Sequence, residues 1–125
     1  MSDLEEYIIS IFKKDRIKFK RELHFKDCAG GKYRYDFEFI YNNKPILLEI
    51  DGIYHFKPIK GKTVMYRQQE HDRKKDAYCL GHNLPLYRIP YWEVYDITTV
   101  DEIFKPRYQV RRKGHNDYIQ IPEKV

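Results

Sequence analysis

Three acidic residues stand where a hairpin could bring them together. Glu49 and Asp51 lie two apart in the run Ile46-Leu47-Leu48-Glu49-Ile50-Asp51. On a strand they share a face, with Leu47 before them and Ile46, Leu48 and Ile50 pointing the other way. Asp36 belongs to the alternating run Lys32 to Tyr41, on the face opposite Tyr33, Tyr35, Phe37, Phe39 and Tyr41. Carboxylates gathered on a half-buried sheet face repel unless something positive compensates them. A hard divalent cation does so, because Mg²⁺ is bound by carboxylates and water. A Lys or Arg partner on a solvated polar face would do so equally well. His55 follows Asp51 by four residues, just past Gly52. An imidazole at a strand exit can act as a general base or orient water, or it can simply bond loop backbone. Further on, Asp72, Lys75, Asp76 and Cys79 recur at helical spacing on one face; taken alone, that is the pattern of a salt-bridged surface helix.

The elements that must position these residues follow from periodicity. Leu4, Tyr7, Ile8, Ile11 and Phe12 mark a helix over Leu4 to Lys14, with Ser2 as N-cap and Glu5 placed to close a capping box. Ile17 to Leu23 reads as a short strand, followed by a loop with Gly30 and Gly31. Lys32 to Tyr41 alternates with period two, and Asn42-Asn43-Lys44 is a hairpin turn signal before the strand Ile46 to Asp51. Ile53 to Val64 is a loop carrying Lys57, Lys60 and Lys62. Met65 to His82 predicts a long charged helix stopped by Asn83, and Leu84 to Ile89 a further strand closed by Pro90. Val100 to Phe104 is a candidate short helix, and Tyr108 to Ile121 a candidate hairpin around Lys113-Gly114-His115-Asn116-Asp117. Helix, strand, hairpin, helix, strand is the order of a mixed α/β sheet with helices packed on it.

A chain of 125 residues holds one domain and one core. Hydrophobic residues at 42% and charged residues at 34% exclude a disordered chain. No apolar run reaches the roughly 20 residues of a membrane span, so no membrane partner is expected. The polar start, Met1 to Glu6, is not a secretory signal. Two cysteines, Cys28 and Cys79, neither form a disulfide scaffold nor complete a structural zinc site, and they read as reduced thiols of a cytoplasmic protein. A net charge of +5 favours a polyanionic partner, although an ordinary basic protein carries as much.

Asp36, then Glu49-Ile50-Asp51-Gly52-Ile53-Tyr54-His55-Phe56, then Asp72-Arg73-Lys74-Lys75-Asp76 and Leu86-Tyr87-Arg88-Ile89, resembles the very-short-patch-repair branch of the PD-(D/E)XK nucleases. Within it the chain is most similar to stand-alone phage and homing-type endonucleases of the EDxHD kind. The resemblance covers about residues 4 to 95, and its most specific piece is Glu49-x-Asp51-Gly52-x-x-His55-Phe56 with Asp72 downstream. It implies a restriction-endonuclease-like three-layer α/β/α core with a mixed central sheet in one nuclease domain, and a Mg²⁺-dependent endodeoxyribonuclease, with Mn²⁺ as substitute. Asp36 and Glu49 or Asp51 would hold the metal, His55 and Asp72 would handle protons and water, and the first-helix glutamate, placed at Glu5 rather than Glu6, would reach the site. Tyr35 replaces the proline of the superfamily name, and Asp51 stands at the usual lysine position. Lys57, Lys60, Lys62, Arg111, Arg112 and Lys113 would hold the DNA backbone, unless they are a solvated face. The segment 105–125 lies outside the resemblance, as a DNA-contacting or dimerising extension. The alternatives are a nucleic-acid-binding module on a decayed nuclease fold, a dimeric structure-specific resolvase on branched DNA, and an RNase.

Overall fold

Alternation, turn chemistry and one amphipathic helix account for most of the architecture. The computed structural model describes residues 2–119 and 121–122. Helix α1 (Asp3–Lys14) starts at Ser2, whose hydroxyl accepts from the Glu5 amide while the Glu5 carboxylate accepts from the Ser2 amide. It buries Ile8, Ile11 and Phe12. Strands β1 (Phe19–His24), β2 (Arg34–Tyr41) and β3 (Lys44–Asp51) form an antiparallel meander. The β2–β3 turn has Asn42 and Asn43 at φ 51° and 64°, the left-handed pair that matches strand twist in a tight hairpin. Helix α2 (Lys62–Gly81) then crosses over to β4 (Leu86–Pro90), which pairs parallel to β3. Asn83 ends the crossover helix at φ 54°, as its side chain tolerates. The sheet order is β1-β2-β3-β4. This is an α/β fold on a four-stranded mixed sheet.

Each sheet face has its own core. On one, α1 packs Ile8, Ile11 and Phe12 on Phe37, Phe39, Leu48 and Ile89, closed by Val94, Val100 and Ile103 from short 3-10 turns and by Ile97 just after the first of them. On the other, Cys79 of α2 packs with Tyr35, Leu47, Leu86 and Val110. Both thiols are free and buried. Among the described residues no helix is long and apolar enough to cross a membrane.

Two expectations need correction. The rings of the run Lys32 to Tyr41 do not share one face: Phe37 and Phe39 lie in the α1 core, whereas Tyr35 lies in the α2 core and Tyr33, just before β2, packs its ring at a tilt against His71 of α2. The strand turns over at Asp36, because the ladder there is interrupted on both sides. Pairing with β1 skips from Arg21↔Phe37 to Leu23↔Tyr35, with the intervening Glu22 at φ 52°, and pairing with β3 ends at Phe37↔Leu48. Nor do residues 108 to 121 form a hairpin. Gln109 makes an isolated bridge to Tyr87, and His115–Tyr118 is a 3-10 turn after Gly114 at φ 80°. Backbone donors that a hairpin would pair across strands go elsewhere, as with His115, whose amide donates to Asp76. Gln120, which the expected hairpin also spans, lies outside the described residues.

Candidate functional site

The α2 face of the sheet changes character along β3. Leu47 is apolar, and the next two residues on that face are Glu49 and Asp51, both buried. Above them α2 buries Asp72, Lys75, Asp76 and Cys79. The surface-helix alternative for that face is thereby removed: three of its four buried residues are Asp or Lys. Burying charges is costly unless they are paired, and the pairing is supplied by Arg88.

Arg88 stands beside Glu49 in the β3–β4 register and is completely buried. Its Nε donates to Asp76 at 2.7 Å and its Nη1 to Asp51 at 2.8 Å, while Glu49 and Asp72 approach Nη1 at 3.6 Å. Burial works against the guanidinium, but these acids outweigh it and raise its pKa well above the ordinary value. Lys75 donates to Glu49 at 3.0 Å.

Asp36 and Glu49 bond across the gap where β2 and β3 part. The Asp36 amide donates to Glu49 Oε1 at 2.7 Å, and the Ile50 amide donates to Asp36 Oδ2 at 2.7 Å. Two side-chain bonds thus replace the missing ladder. Burial and then the neighbouring Glu49 charge push Asp36 well above the usual carboxylate range. The charge of Glu5 adds to that push, although the Glu5 carboxylate itself bonds Ser2 in the capping box.

His55 and Asp72 form the second half of the site. His55 Nδ1 lies 2.6 Å from Asp72 Oδ2 and 3.5 Å from Asp51 Oδ1. Burial alone would lower the imidazole, but Asp51 and Asp72 raise it above 6.5. Burial would raise Asp72, but Arg88 and His55 hold it below 3.8. With Nδ1 taken by Asp72, proton transfer is left to Nε2. His55 opens on a cleft of about 310 Å³ shared with Gln69, Asn116 and Asp117.

The grouping of donors therefore differs from the expected Asp36–Glu49–Asp51 cup. Asp51, His55 and Asp72 are the trio whose ligand atoms all lie within 4.8 Å of one another among the described residues. Asp36 and Glu49 are instead committed to strand amides and Lys75. The turnover of β2 at Asp36 is the physical reason. The expected DNA-contacting residues Lys57, Lys60, Lys62, Arg111, Arg112 and Lys113 are all exposed. Lys60 lies over the Tyr54 ring and Arg112 over the Tyr118 ring.

Sequence reasoning missed Arg88, Lys75 as a partner of Glu49, and Asn116. Arg88 left a signal: it is the one charge in an otherwise apolar strand, and a charge in such a place needs a buried partner. Asn116 left none. Its amide nitrogen donates to Asp51 Oδ2, and Asp117 pairs with Arg73 at 3.3 Å, which ties the 114–117 turn to α2.

The chain matches no protein-family model, no curated protein and no solved structure.

Proposed function

We propose that this chain is a metal-dependent endonuclease that hydrolyses DNA phosphodiester bonds on a restriction-endonuclease-like core. One observation carries the reading: a buried cluster of acids with too little positive charge, opening through a His–Asp pair onto a cleft. Glu49, Asp51, Asp72 and Asp76 are four buried carboxylates, with the part-buried Asp36 beside them, gathered around the side chains of Lys75 and Arg88 and the His55 ring. A divalent cation would offset that surplus.

The donors fit such an ion. Metal–oxygen distances of roughly 2.0–2.6 Å allow donors of one ion to stand up to about 4–5 Å apart, and the ligand atoms of the Asp51–His55–Asp72 trio all lie within 4.8 Å of one another. The carboxylates of Asp51 and Asp72 would hold it, with Asp36 and Glu49 in the opening between the strands. Bound there, Mg²⁺ or Mn²⁺ would polarise the phosphoryl oxygen and acidify water. Asp72 orients His55 through Nδ1, and Nε2 takes a proton from the attacking water. Arg88 fixes the Asp51 carboxylate from behind, and Asn116 holds its other oxygen.

A second reading has its own support. Arg88 and Lys75 already pair with the acids, as they would in a nucleic-acid-binding module whose carboxylates are purely structural. The assay that separates the two uses purified protein on supercoiled plasmid, single-stranded DNA, branched DNA and RNA, with Mg²⁺, Mn²⁺ or chelator. The nuclease reading expects metal-dependent nicking or cutting of DNA, lost in Asp72→Asn. Binding without cleavage in either metal establishes the alternative, and preferential cutting of RNA overturns the assignment of substrate.

A further inference from the structure

The polar face of α2 has two sides. At about 100° per residue, His71, Lys75 and Gln68 lie to one side of Asp72, and Asp76, Gln69 and Arg73 lie to the other. The second side borders the His55 cleft. The first borders a separate cleft of about 330 Å³, lined by Lys32, Tyr33, Arg34, Gln68, His71 and Lys75. Gln68 joins the two regions, because its amide reaches Asp72 Oδ1 at 3.4 Å.

This second cleft is built from basic and neutral side chains, with no carboxylate in its lining among the described residues. Lys32 and Arg34 are exposed at its rim. The only acid near Arg34 among the described ion pairs is Glu22 at 3.6 Å, with both side chains 62% exposed, a pairing that water screens almost completely. Tyr33 is buried and its ring lies 4.7 Å from that of His71, which fixes one wall. Lys75 at the back is held by Glu49. So a strongly acidic cluster has, one helical step away, a concave positive surface that its own acids do not occupy.

We propose that this cleft is an anion subsite that receives a backbone phosphate of a bound DNA strand, so that the strand crosses α2 at Gln68. Lys32 and Arg34 contact that phosphate, and His71 and Tyr33 shape the wall. The path onward to Asp72 and His55 rests on the nuclease reading; the phosphate subsite itself does not. Lys57 and Lys60 precede α2 and Lys62 opens it, and none of the three lines this cleft, so the subsite adds a contact to theirs.

The test is fluorescence anisotropy with a labelled DNA duplex and the Lys32→Ala/Arg34→Ala variant of the full chain. Both residues are exposed, so the variant should melt at the wild-type temperature. The expected result is a rise in Kd of about tenfold, with the slope of log K against log salt shallower by about one. Substituting uncharged methylphosphonate at one backbone position at a time gives the sharper readout. One position should weaken wild type and leave the variant unchanged, because the contact is already gone. Equal penalties at every position in both proteins, or an unchanged Kd in the variant, overturn the subsite. Wild type that binds DNA with this pattern but never cuts it leaves the subsite standing and removes the catalytic reading. Wild type that does not bind DNA overturns both.

Discussion

Replacing Arg88 by methionine isolates the central pairing of the cluster. Arg88 is completely buried and donates to Asp76 at 2.7 Å and Asp51 at 2.8 Å. Methionine fills a similar volume and removes the charge, which leaves buried carboxylates without their partner. Breaking a buried pair from one side costs about 3–5 kcal/mol, against a total stability of about 5–15 kcal/mol. With a urea slope of about 1–3 kcal/mol/M, the unfolding midpoint should fall by about 2 M at neutral pH in chelator, followed through the single Trp92. The pH dependence has a definite sign. Arg88 helps hold Asp72 below 3.8 against burial. A carboxylate lowered in the folded state contributes stability that is complete above its unfolded value and is lost as pH falls through the folded value. Without Arg88, burial prevails and the acids resist ionisation, so the deficit should be largest near pH 7 and shrink towards pH 4. A midpoint shift below about 0.5 M, or an equal shift at both pH values, would refute this account of the cluster.

Other outcomes follow from the same contacts. Asp36 is raised by burial and by Glu49, so its charge costs stability as pH climbs through that raised value. Asp36→Asn keeps an oxygen for the Ile50 amide and should melt at or above the wild-type temperature near neutral pH in chelator; a clear fall in Tm contradicts the sign. His55→Ala should reduce cleavage by about 10²–10⁴-fold and leave DNA affinity within about twofold, so a variant that cuts normally makes His55 structural. Gly114 sits at φ 80° and a Cβ there would run into the Asp117 carboxylate. Gly114→Ala should cost about 1–3 kcal/mol locally and make the 114–119 segment an early target in limited proteolysis, with the sheet intact. Wild-type resistance would show that the turn does not need its left-handed residue.

The parts of the fold that were legible in the sequence are the local ones. The capping box at Ser2 and Glu5, the paired asparagines of the hairpin and the stop at Asn83 are read from neighbouring residues, and each appears as expected. The shared face of Leu47, Glu49 and Asp51 follows from period two alone. What could not be read depends on distant partners. The turnover of β2 at Asp36 needs Glu22 on one side and Glu49 on the other, and an unbroken alternation of rings in the sequence hides it. Likewise the charge on α2 looks like a solvated helix until Arg88, a dozen residues later, is placed beneath it. Asn116 reaches Asp51 across 65 residues through a turn with no regular pattern.

The gap between β2 and β3 also gives the molecule a reporter of its own. The amides of Asp36 and Ile50 donate to carboxylates and not to carbonyls. A peptide carbonyl accepts at any pH, whereas a carboxylate accepts less well once protonated or drawn towards an ion. Exchange of these two amide hydrogens with solvent is therefore tied to the electrical state of the acids. In a ¹⁵N spectrum, two resonances in the middle of the sheet should register changes at the carboxylates while their neighbours in the ladder stay protected.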